Sequence, residues 1–122
     1  MQLRLVPPQA PFLQGAHLLV AADCVPVAMA NFHQDYLRGR SVVIGCPKFD
    51  DTQHYYEKLK VMLAEARPHS ITVTRMQVPC CGGLANVVAR ARNEVAPDIP
   101  LSIVTIGIKG EELSVEEVPV PA

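Results

Sequence analysis

The sequence lacks the features that mark nucleic-acid-binding, membrane and secreted proteins. It has no lysine and arginine cluster, and its formal net charge is −1, whereas proteins that bind nucleic acid usually carry a basic face. No stretch is long and apolar enough to span a bilayer. Residues 1–11 lack the charged start and apolar run of a secretory signal. We therefore expect a cytoplasmic protein with no nucleic-acid or membrane partner.

The sequence also lacks any Cys-x-x-Cys pair, although it contains four cysteines. In the cytoplasm, cysteines more often bind metals or undergo redox chemistry than form structural disulfides. Two disulfides would be an alternative if the protein were exported. Structural zinc sites usually draw on closely spaced cysteine pairs, so their absence makes a simple zinc knuckle less favoured than another thiolate site.

Segments with strand patterns alternate with segments with helix patterns along the 122 residues. The predicted strands are 2–6, 17–21, 41–44, 70–76 and 101–108, and the predicted helices are 28–37, 52–66 and 84–95. This alternation predicts an α/β fold, with one three-layer domain built on a mostly parallel sheet of four or five strands and about three helices. We expect a single domain over 1–122, with a core of about 2–111 and an acidic, proline-containing tail over 112–122 that is frayed.

The four cysteines occupy equivalent positions in this pattern. Each lies after a predicted strand and before a predicted helix, and they are Cys24, Cys46, Cys80 and Cys81. Right-handed crossovers bring the carboxyl ends of parallel strands to one edge of the sheet, and ligands bind at that edge in such folds. Any one of these cysteines could be a small core residue. Four at equivalent positions favour a shared metal site instead.

Four thiolates fit either zinc or an iron–sulfur cluster, and their origin in three separate loops favours the larger cluster. One difficulty is that Cys80 and Cys81 are adjacent, so their side chains point apart in an extended backbone. Both can be ligands only if the chain turns there, which the following Gly82 and Gly83 permit. Otherwise, Asp23 and His33 are candidates for the fourth ligand.

Four segments of the sequence together carry a resemblance to a known family. They are Ala21-Ala22-Asp23-Cys24-Val25-Pro26, Asn31-Phe32-His33, Ile44-Gly45-Cys46-Pro47-Lys48 with Asp50-Asp51, and Val78-Pro79-Cys80-Cys81-Gly82-Gly83-Leu84. The chain resembles the C-terminal domain of bacterial and archaeal 4Fe–4S ferredoxins, also described as iron–sulfur cluster-binding proteins. In that family a ferredoxin domain precedes this one, whereas the present sequence begins where such a domain would end. The resemblance implies a 4Fe–4S cluster, and a ferredoxin or ferredoxin-like redox protein as partner.

The sequence therefore predicts an iron–sulfur cluster-binding domain for electron transfer, with Cys24, Cys46, Cys80 and Cys81 as ligands. Two alternatives stay open. One is an enzyme that uses Cys80 or Cys81 as a thiol nucleophile or redox thiol, although no Cys–His–acid arrangement supports it. The other is a zinc-stabilised interaction module. Enzymatic activity of the isolated domain is left undecided.

Overall fold

In the computed structural model, which describes residues 1–46, 51–77 and 82–119, the chain forms one five-stranded sheet in the order β2–β1–β3–β4–β5. The strands are β1 (His17–Ala22), β2 (Ser41–Gly45), β3 (Ser70–Met76), β4 (Leu101–Ile106) and β5 (Glu112–Val118). The helices are α1 (Val25–Ala28), α2 (Thr52–Ala66) and α3 (Gly82–Val95), with a 3-10 turn at Pro11–Leu13 and a π-helical turn at His33–Leu37.

The first four strands are parallel, and only β5 is antiparallel to its neighbour. The predicted α/β fold with a mostly parallel sheet is therefore confirmed. β1 lies between β2 and β3, and every one of its residues after His17 is buried. A strand covered on both faces is a continuous apolar run, which explains why the pattern predicted β1 so well.

Helices cover both faces of the sheet. Because the crossovers are right-handed, the connection from β1 to β2 lies on one face, and α2 and α3 lie on the other, where they pack against each other. The bounds predicted for α2 are confirmed, with Asp51 as N-cap accepting a 2.9 Å hydrogen bond from the Gln53 N–H. No helix among the described residues is long and apolar enough to cross a membrane.

Residues 2–6 do not form the predicted strand. The N–H groups of Leu5 and Val6 both donate to the Gln2 carbonyl, 3.0 Å away, so the chain turns here. A single parallel bridge joins Gln2 to Ile44 of β2. The turn brings Leu3 and Val6, both fully buried, into the core, and this burial outweighs the weak alternating pattern that suggested a strand.

The helix predicted over 28–37 is also wrong in detail. α1 ends at Ala28, Met29 has an extended backbone, and the π-helical turn His33–Leu37 follows. Met29, Phe32 and Tyr36 recur at helical spacing within this segment, and their side chains are nevertheless buried. Their spacing correctly predicted which side chains face the core, but it does not distinguish one regular helix from two short turns.

The acidic segment from residue 112 is a strand through Val118, and not the frayed tail that we predicted. β5 pairs antiparallel with β4, for example Val115 with Val104. Its side chains are exposed or only half-buried, because it lies at the edge of the sheet, beside β4. Charged residues such as Glu116 and Glu117 are typical of edge strands, where they discourage pairing with other chains.

Arg92 of α3 holds the end of β5 in place. Its guanidinium group is almost completely buried, with the residue only 1 % exposed. It donates hydrogen bonds to the carbonyls of Ile99 at 2.9 Å, Pro119 at 3.1 Å and Val118 at 3.3 Å. A single side chain therefore joins α3, the loop before β4 and the end of β5.

Replacing Arg92 by alanine should lower the free energy of unfolding by about 2–4 kcal/mol, because it removes a buried side chain and its donors to three carbonyls, of which that of Ile99 is buried. The control is Arg90→Ala in the same helix, where an exposed guanidinium only lies over the Tyr56 ring at 4.5 Å. That change should cost less than about 1 kcal/mol. Urea unfolding followed by circular dichroism measures both, and equal losses would contradict the role given to Arg92.

Candidate functional site at the carboxyl edge of the sheet

β1 and β2 end level with each other at the carboxyl edge. Their last residues, Ala22 and Gly45, are directly paired, and the Asp23 N–H continues the ladder by donating to the Gly45 carbonyl at 3.1 Å. β3 is the other parallel neighbour of β1. The loops that follow β1, β2 and β3 therefore leave the sheet from three adjacent positions.

The structure brings Cys24 and Cys46 to this edge. Cys24 lies two residues beyond β1, is exposed, and its side chain makes no hydrogen bond that caps α1. Cys46 directly follows β2 and is half-buried, and neither cysteine is in a disulfide. Cys80 and Cys81 lie outside the described residues. In the sequence they come between the end of β3 and the start of α3.

Tyr55 fixes the backbone at Cys46. Its side chain is fully buried, and its hydroxyl accepts a hydrogen bond from the Cys46 N–H at 3.0 Å. The ring lies so close to Gly45 that a Cβ on that residue would be 2.6 Å from the hydroxyl oxygen and 2.8 Å from Cζ. Gly45 therefore lets the tyrosine from α2 reach across the strand end. Tyr55 lies on the apolar face of the helix predicted over 52–66, which indicates burial but does not reveal this polar contact.

The other candidate ligands differ in their positions. Asp23 is half-buried between β1 and Cys24, so it lies at the same edge. His33 is exposed at the start of the π-helical turn, with its ring edge-on to Phe32 at 5.9 Å between centroids. Within residues 1–46, 51–77 and 82–119, no three side chains of the metal-ligating types come together as a site.

A family model of a Rossmann-like domain matches residues 10–120. The chain belongs to this Rossmann-like family. The expected membership of the ferredoxin-associated iron–sulfur proteins is therefore wrong, because the matching model is that of a different family. The segments that suggested the resemblance are short, and short motifs are weaker evidence of descent than a match over most of the chain.

A relative with a similar sequence is an uncharacterized protein of Archaeoglobus fulgidus. It is 35 % identical over 94 residues, which is 77 % of this chain and 66 % of the relative. The match thus spans a little less than two thirds of the relative's length. No solved structure matches the chain significantly.

The chain reverses its direction across the sheet between β1 and β3, and in open α/β sheets ligands bind in the crevice at the carboxyl edge beside such a reversal. In dinucleotide-binding domains, the phosphates of the cofactor lie in such a crevice, bound by a glycine-rich turn and by the N-terminus of the long helix that follows it. Here the turn after β1 is Asp23-Cys24-Val25-Pro26, without glycine, and α1 is four residues long. A dinucleotide site has phosphate-binding backbone N–H groups at this position, whereas this chain has the thiol of Cys24 there.

Gly45→Ala should destabilise the fold by about 1–3 kcal/mol, because the added methyl group overlaps the ring of Tyr55. In a Tyr55→Leu background the same change should cost much less, since the overlapping ring is gone. A double-mutant cycle by urea unfolding measures this coupling. Additive effects of the two changes would contradict the contact between Gly45 and Tyr55.

Proposed function

We propose that this domain binds a metal centre, specifically an iron–sulfur cluster, through cysteine thiolates at the carboxyl edge of its sheet, and that it transfers electrons. The observation that carries the proposal is the position of β1 between β2 and β3, because the three loops that contain the cysteines follow these three adjacent parallel strands. Cys24 and Cys46 would be ligands from the first two loops, and Cys80 and Cys81 from the third.

The width of this edge favours a cluster over a single zinc ion. Neighbouring strands lie about 4.8 Å apart, so the ends of β2 and β3 are roughly 10 Å apart across β1. A zinc ion has its thiolate sulfurs at about 2.3 Å, and these sulfurs are therefore within about 4.6 Å of one another. Ligands that come from strand ends so far apart match a larger cluster better, although loops that converge strongly would also allow zinc.

The residues around the two described cysteines suit a bound thiolate centre. Tyr55 and Gly45 fix the backbone at Cys46, which reduces the conformational freedom that ligation would otherwise cost. Cys24 is exposed, and its side chain makes no hydrogen bond that caps α1, so its sulfur is available to bind a metal. Asp23 is the nearest described alternative if only one cysteine of the third loop is a ligand. A cytoplasmic location belongs to the proposal, because a reducing compartment keeps these thiols reduced.

Electron transfer would follow from the cluster's chemistry. When bound, an iron–sulfur cluster accepts and releases single electrons, at a potential that depends on hydrogen bonding and solvent exposure. The exposed position of Cys24 would place the centre close to the surface, where a ferredoxin or ferredoxin-like protein could supply the electron. We propose this redox partner together with the cluster.

The test is reconstitution of the full chain with ferrous iron and sulfide under strictly anaerobic conditions. We expect bound iron and acid-labile sulfide in similar amounts, with visible absorption that bleaches on reduction. Cys24→Ser and Cys46→Ser should each lose most of this absorption, because each removes a thiolate ligand. The matched control is His69→Ala, since His69 precedes β3 and lies at the opposite edge of the sheet.

The remaining outcomes separate the alternatives. Stoichiometric zinc without sulfide would contradict the cluster and support the zinc-stabilised interaction module. No bound metal, together with rapid alkylation of a single cysteine, would contradict the metal site and support the thiol enzyme. Asp23→Asn and His33→Ala identify the fourth ligand, because only the variant that removes a ligand should lower the iron content.

A further inference from the structure

A cavity of about 890 Å³ opens on the sheet face that carries α1 and the π-helical turn. Its floor is formed by β3, β4 and β5, and its wall by the segment from Met29 to Arg40. Neither Cys24 nor Cys46 lines it, so it is separate from the cysteine edge. The volume lies in the range of small-molecule sites, which are typically about 300–1,000 Å³.

The floor of the cavity carries one polar residue from each of three adjacent strands. Thr72 of β3 pairs with Ser102 of β4, which pairs with Glu117 of β5. Paired residues in neighbouring strands point to the same face, so these three side chains form a row. Both carboxylate oxygens of Glu117 are 2.9 Å from the Ser102 hydroxyl, which holds the carboxylate over the floor.

Thr72 is the residue that points to a ligand. It is only 8 % exposed and lines the cavity, yet its hydroxyl has no hydrogen-bonding partner within the part of the chain that the structure describes. The Thr72 hydroxyl lies at the cavity rather than sealed in the core, so water or a ligand can satisfy it. No described group of the protein bonds to this hydroxyl, and a bound molecule could accept or donate a hydrogen bond there.

The charges around the cavity determine which molecule it would take. Three carboxylates line it, from Asp35, Glu112 and Glu117, against the single guanidinium group of Arg40. Arg40 donates one of its N–H groups to the Tyr36 carbonyl at 2.7 Å, and its single positive charge is outnumbered by the three carboxylates. The lining is therefore acidic, and it complements a cation.

Tyr36 is fixed as a neutral hydrogen-bond donor at one end of the cavity. Its hydroxyl donates to Glu112, and burial, together with that hydrogen bond, raises the pKa of the phenol well above its usual range. Glu112 is thereby oriented by the wall, while Glu117 is oriented by the floor. Between them lie apolar surfaces of Met29, Val104 and Val115, which suit a short aliphatic chain.

From this arrangement we propose that the cavity binds a small organic cation, with an ammonium or guanidinium group on a short aliphatic chain. Glu117 and Asp35 bind the cationic groups, and the Thr72 hydroxyl bonds to a polar atom of the same molecule. This site is independent of the metal centre, because the two share no described residue. Loss of one function would therefore leave the other intact.

Agmatine is a suitable probe, because it carries a guanidinium and an ammonium group on a four-carbon chain. We expect saturable binding of agmatine to the full chain by titration calorimetry at low salt, and no binding of succinate. Glu117→Gln should weaken binding about 10- to 100-fold, as expected for the loss of a charge-assisted hydrogen bond. The matched control is Glu116→Gln, an equal charge change on the opposite face of β5, which should alter binding less than about threefold.

Thr72→Val distinguishes a role of this residue in ligand binding from a role in stability alone. Because the hydroxyl has no partner within the described residues, valine should leave the urea midpoint unchanged or raise it, while weakening agmatine about 3- to 10-fold. Thr72→Ser should retain binding. The proposal is overturned if agmatine does not saturate, if Glu116→Gln and Glu117→Gln weaken it equally, or if Thr72→Val destabilises the fold without changing affinity.

Discussion

The parallel pairing of β1 with β2 on one side and β3 on the other is the constraint on which the rest of the structure depends. β1 is buried on both faces, and its backbone forms parallel ladders with both of these neighbours. The pairing with β2 also sets Ala22 and Gly45, the last residues of the two strands, level with each other. Stability and site geometry thus share one cause, since the hydrogen bonds that hold the centre of the sheet also bring Cys24 and Cys46 to the same edge.

The two proposed sites use opposite properties of the same sheet. At the carboxyl edge, the loops begin at the ends of adjacent strands, and in the sequence the cysteines follow these strand ends. The cavity lies on a sheet face, where Thr72, Ser102 and Glu117 form a polar row across three strands. β5 makes the second site possible, because it extends the sheet beyond the covering segment and adds carboxylates there. Arg92 in turn anchors the end of β5.

Strong hydrophobic patterns correctly predicted the elements at the centre of the fold. The edge strand and the side-chain contacts at the sites depend on tertiary contacts, which no local sequence pattern contains. α2 and β3 were predicted with their observed bounds because a capped amphipathic helix and a β-branched run are unambiguous. β5 was missed because its few apolar residues, such as Leu113 and Val115, are exposed and lie among acidic residues, which gives only a weak strand pattern. The strand positions placed Cys24 and Cys46 at one edge correctly, whereas the contact between Tyr55 and Gly45 and the cavity row depend on register, which the sequence does not display.

X-ray absorption at the iron edge of the anaerobically loaded protein would show whether thiolates at the carboxyl edge hold an iron–sulfur cluster, as we propose. We expect an iron–sulfur shell together with an iron–iron shell, because a cluster contains bridged iron atoms. In Cys46→Ser the iron–iron shell should be lost. Iron surrounded only by oxygen or nitrogen atoms in the wild-type protein, with no iron–iron shell, would rule out the proposed cluster.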